Sequence, residues 1–133
     1  MALTRVAAVA LAACGLGDTG GVVNQLASAD KPPPAAPVLG AVFGVLAFTA
    51  AALLLRGSRR GITLGILSRV GDIALLGGAL LAGGFADEPT AHAAAAAAQG
   101  GLSVATLLVL LLVVLRARST RAQSRPLPGG DPA

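Results

Sequence analysis

Tryptophan and tyrosine are absent from this chain of 133 residues, and phenylalanine occurs only three times. The aromatic anchors that usually sit at a membrane surface are therefore missing. So are the platforms on which proteins stack single-stranded bases. A single cysteine, Cys14, rules out an intramolecular disulfide and any multi-cysteine metal centre. The single histidine, His92, has no companion His or Cys and is a weak metal ligand alone. Asp87 and Glu88, nearby in sequence, offer at most a loose cation contact. Charge is scarce too: Asp, Glu, Lys and Arg make up 12% of the residues, against about 25% in soluble proteins. The balance is basic, with a formal charge of +4 and an isoelectric point near 11.1. The arginines gather at the ends of apolar runs and not over a soluble face, so no nucleic-acid partner is expected. No nucleophile–base pair, phosphate loop, metal-ligand spacing or dinucleotide fingerprint occurs. The chain is expected to be no enzyme and to need no cofactor.

Apolar residues fill the space that these absences leave. They account for 55% of the chain, and the mean hydropathy is +0.80. About 20 apolar residues cross the roughly 30 Å of bilayer hydrocarbon, and the sequence holds four runs of about that length. The prediction is an all-α fold, a polytopic four-helix transmembrane bundle over residues 1–118. Its helices fall at about 3–26, 37–55, 62–85 and 92–115, followed by a basic, Pro/Gly-rich tail at 119–133. With Ala and Gly so frequent, close backbone approach supplies most of the packing. The first run is the weakest, because it takes in Asp18, Asn24, Gln25 and four glycines. The prolines at 32–34 break any helix after it. The second run carries no charge, and Gly40 and Gly44 within it have the GxxxG spacing that lets a second backbone approach. From Arg116 onward the chain is expected to be solvated and largely disordered.

Lys and Arg near helix ends mark the cytoplasmic side. Arg5 precedes the first run; Arg56, Arg59 and Arg60 join the second to the third; Arg116, Arg118, Arg121 and Arg125 follow the fourth. The connector after the first run has only Lys31, beside Asp30, and the connector after the third has neither Lys nor Arg. This alternation predicts a multi-pass cell-membrane protein with both termini cytoplasmic. Its partners are then the lipid bilayer and either further copies of itself or another membrane protein.

Four polar residues within the apolar runs form the candidate site. Arg69 and Asp72 lie three residues apart on one helix face and can pair there. At about 1.5 Å per residue from position 62 they sit roughly 10 and 15 Å deep. Arg69 can snorkel toward the cytoplasmic face, whereas Asp72 needs Arg69, another donor or a proton. Either this pair fixes helix rotation and register, the favoured reading, or it is an ion, proton or small-solute site. Asp18 and Gln99 lie at similar heights, so they either hydrogen-bond across the bundle or stay apart. The expected role is structural, interacting or regulatory within the membrane. The alternative is a small oligomeric transporter or ion-conducting unit that uses Arg69 and Asp72.

The Ala/Leu/Val/Gly helices, the LLLRGSRRG turn and the RVGDIALLGG segment after it resemble small four-helix integral membrane proteins of unknown function, common in high-GC Gram-positive bacteria. That likeness implies a bacterial membrane protein and no functional residues. Small multidrug-resistance transporters are similar in length and helix count, with an acidic residue in the first helix and aromatic residues in the binding site. Asp18 is a poor match in setting, and Trp and Tyr are missing. Residues 11–15, LAACG, resemble the lipobox of bacterial lipoproteins, with an apolar stretch of only eight residues before it. Cleavage there would leave Cys14 lipidated and three spans; the expectation here is an uncleaved first helix with Cys14 as a small packing residue.

Overall fold

Four helices make up the computed structural model, which describes residues 2–27, 35–83 and 90–123, the side chains of Thr90 and His92 excepted. They are α1 (Ala2–Ala27), α2 (Ala35–Leu55), α3 (Arg60–Leu81) and α4 (Thr90–Gln123), and no strand occurs among the described residues. Each of the four is long and apolar enough to cross a membrane. Every helix packs on the two beside it, in the order α1, α2, α3, α4 and back to α1. In this ring α1 lies opposite α3, and α2 opposite α4.

The ends of the helices follow local chemistry. α2 closes with a Schellman motif: Ser58 N–H donates to the Leu53 carbonyl and Gly57 N–H to that of Leu54, both at 2.9 Å, with Gly57 at φ +75°. Arg59 then starts α3 directly, without a side-chain cap. α3 ends at Leu81, earlier than the expected 85. Gly83 takes φ +73° and donates to the Leu80 carbonyl, which closes the helix there. α4 runs in the other direction: it was expected to stop near 115 but continues through Arg116, Arg118 and Arg121 to Gln123. Ala, Arg and Gln are strong helix formers, and cations in the last turn suit the helix dipole. The tail expected to be disordered from Arg116 is thus helical as far as Gln123, and residues 124–133 lie outside the described residues.

Packing changes along the bundle axis. Toward the end that carries the arginines, Ala7, Ala8 and Leu11 of α1 meet Ala47, Ala50, Ala51 and Leu54 of α2, with Leu110 of α4, in one buried cluster. Small side chains permit this, since hydrocarbon tails are as apolar as leucine and contact distance decides what is gained. Gly44 shows the requirement directly. A Cβ there would lie 3.1 Å from Thr19 Oγ1 and 3.5 Å from the Gly15 carbonyl. The GxxxG pair therefore joins α2 to α1 within one chain. Toward the opposite end, α3 and α4 part around a cavity of about 330 Å³, walled largely by Gly77, Leu80, Ala93, Ala97 and Gly100.

Candidate functional site

Between these two halves lies a polar cluster drawn from three helices. Asp18 comes from α1, Ser68, Arg69 and Asp72 from α3, and Gln99 and Ser103 from α4. Arg69 crosses the interior of the ring to reach the helix opposite its own. Its Nη2 donates to Asp18 Oδ2 at 2.7 Å and to Ser68 Oγ at 2.8 Å. Its Nη1 donates to Ser103 Oγ at 3.0 Å and makes a longer contact, 3.4 Å, with Asp72 Oδ2. The side chain of Arg69 is 0% exposed. Gln99 Nε2 donates to Asp18 Oδ1 at 2.6 Å and to the Cys14 carbonyl at 3.2 Å. Ser103 Oγ donates to Asp72 Oδ2 at hydrogen-bonding distance. The remaining helix, α2, joins through its backbone, where the Phe43 carbonyl accepts from Ser68 Oγ at 3.1 Å.

Helical spacing builds this arrangement. Positions 61, 65, 68, 69 and 72 make up the buried face of α3, and the first two are glycines that admit the neighbouring helices. On α4, Gln99, Ser103 and Thr106 follow each other at four and three residues, so they share one face. On α1, Cys14 and Asp18 are one turn apart and both are buried. Gly17 leaves the opening for Gln99: any Cβ at that position would collide with its amide. Cys14 Sγ meets Thr106 Oγ1 at 3.4 Å, and the Thr106 hydroxyl is also within donor reach, 2.7 Å, of the Leu102 carbonyl.

The four residues expected to form two pairs are joined in one cluster, and its pairing differs from the expected one. Arg69 has Asp18 as its closest carboxylate and Asp72 as a more distant one. Nor does Arg69 snorkel toward an aqueous end. A donor-rich guanidinium finds four oxygens inside the bundle, so turning inward keeps it satisfied, apart from Nε, which is buried without a partner. The alternative in which Gln99 stays apart from Asp18 is overturned by their 2.6 Å hydrogen bond. Cys14 lies 0% exposed within α1 as a packing residue. The His92 side chain, Asp87 and Glu88 lie outside the described residues. Ser68, Ser103 and Thr106 escaped the sequence reading, although the spacing of Ser103 and Thr106 from Gln99 was a usable signal.

Chemically, the cluster sets one guanidinium against two carboxylates, a formal charge of −1 if all three are ionised. Charged groups at such depth are costly unless they face protein partners, as these do. The partners tie α1, α3 and α4 into one unit and contact α2 through a carbonyl. No group of three or more His, Cys, Asp or Glu residues able to hold a metal occurs among the described residues. No protein-family model, curated protein or solved structure matches this chain.

Proposed function

We propose that this chain is a non-enzymatic, multi-pass protein of a bacterial cell membrane, in the manner of the small four-helix proteins it resembles. Its role is structural, interacting or regulatory, and the Arg69 cluster pins its four helices in one register. One observation carries the reading. Arg69 is fully buried, and every oxygen it contacts belongs to its own bundle, so a substrate is not required to explain it. Both termini face the cytoplasm in this proposal, because the exposed Arg5, Arg56, Arg59, Arg60, Arg116, Arg118 and Arg121 gather at one end of the bundle. There they meet anionic headgroups, an attraction of about 1 kcal/mol per basic residue near the surface. The partners are lipid and other membrane helices, from a second copy or a different protein.

Liposomes containing the purified chain test the reading. No proton-driven or ion flux above that of empty vesicles is expected; flux abolished by Asp72→Asn would replace it with the transporter. Reporter fusions test the threading. A reporter active only in the cytoplasm should work after Arg60 and Ala133 and fail after Lys31 and Glu88. Activity at Lys31 with silence at Arg60 would reverse the orientation.

A further inference from the structure

We propose that the cluster is a binding site for one proton, carried by Asp72, while Asp18 is the carboxylate that holds Arg69. Asp18 is held by two N–H donors. Its Oδ2 takes a guanidinium N–H and its Oδ1 an amide N–H, at 2.7 and 2.6 Å. The orientation of Gln99 is set by the Cys14 carbonyl, which only accepts, so the nitrogen must point toward it and toward Asp18. Both oxygens of Asp18 therefore face donors that have nowhere to receive a proton. Asp18 is an anion.

Asp72 has a different environment. Its closest partner is the Ser103 hydroxyl, a group that can accept as well as donate. Its contact with Arg69 is 3.4 Å, longer than the 2.7–2.9 Å usual for a charge-assisted N–H···O bond. Arg69 meanwhile keeps Nε–H buried and without a partner. An anionic Asp72 would draw that donor capacity in; instead it stands back. The charge count agrees. Among the described residues, the titratable groups acting on Asp72 are Asp18 on α1 and Arg69 on α3. From α4, Asp72 meets the neutral Ser103, while Gln99 of α4 serves Asp18 and the Phe43 carbonyl of α2 serves Ser68. Arg69 is the one buried cation among the described residues, and Asp18 already neutralises it. A second anion here would leave the cluster at −1 in a low-dielectric interior, whereas a proton on Asp72 brings it to zero. With the proton on Asp72 Oδ2, the bond to Ser103 reverses and the carboxyl donates to the hydroxyl. When the proton leaves, two anions compete for one guanidinium, and the hold of Arg69 on α1 weakens. Proton occupancy is thereby coupled to helix packing, a property that the structural role alone does not supply.

Infrared spectroscopy of the full chain in lipid nanodiscs at neutral pH, with isotope-labelled aspartate carboxyls, tests this. Wild type should show the carbonyl stretch of one protonated aspartate. The signal should vanish in Asp72→Asn. It should vanish also in Asp18→Asn, where the guanidinium passes to Asp72 and the proton is released. In Asp72→Glu the labelled signal should be replaced by an unlabelled one. No protonated aspartate in wild type would overturn the proposal, whether or not any variant folds. So would a signal that survives in Asp72→Asn or stays labelled in Asp72→Glu.

Discussion

Gln99 holds the negative end of the Arg69–Asp18 pair in place, since its amide bonds both the carboxylate and the Cys14 carbonyl one turn earlier on α1. Replacing it with leucine leaves an anionic oxygen without a donor. Hydrogen bonds to charged groups contribute about 1.5–3 kcal/mol, so Gln99→Leu should destabilise the bundle by that amount when unfolding is followed in mixed micelles. An unchanged unfolding midpoint would show that Asp18 finds another donor. At this scale the sequence was partly legible. A charge or an amide inside an apolar run stands out because its burial is costly, and Asp18, Arg69, Asp72 and Gln99 were all visible on that ground. The serines were not. Hydroxyls in helices often turn back to their own backbone, as Thr19 does to Gly15 and Thr49 to Val45. Only the fold separates those from Ser68 and Ser103, which face Arg69. The pairing was equally hidden: local spacing favoured Arg69 with Asp72, and the nearer partner lies 51 residues away.

Among the helices, α1 most needed its neighbours to become legible. Its glycines and polar residues made it a weak span in isolation, yet it forms one continuous helix over Ala2–Ala27. Asp18 meets Arg69, Gly15 admits α2 and Gly17 admits Gln99, so residues that looked like defects are points of contact. Helix number and order could be read from run length and charge. The ends of α3 and α4 could not, because a glycine turn and a run of helix-forming residues in water override the hydrophobic pattern. Close approach of α1 and α2 gives a paired prediction. Gly44→Ile should force the two backbones apart and cost about 1–3 kcal/mol, as overpacking does. Gly20→Ala, where a Cβ meets nothing within 4 Å, should instead stabilise α1 by roughly 0.5–1 kcal/mol. Equal stability of the two variants in the same unfolding assay would contradict the contact at Gly44.

Seen whole, the molecule has an arginine-bearing end packed through alanine and leucine, a polar centre, and an opposite end where α3 and α4 stand apart. The centre is where all four helices become interdependent, because lipid supplies no hydrophobic force to press them together. Truncating one partner of such a buried pair strands the other, at about 3–5 kcal/mol, whereas removing both is far cheaper. A double-mutant cycle on Arg69 and Asp18 measures that interdependence directly. Unfolding in mixed micelles would be compared for wild type, Arg69→Met, Asp18→Asn and the double variant. Arg69→Met should cost about 3–5 kcal/mol, Asp18→Asn less because Arg69 can turn to Asp72, and the double should lose less than the two added together. Single losses that simply add in the double variant would mean that α1 and α3 do not meet through these side chains, and that the ionic centre does not hold the bundle.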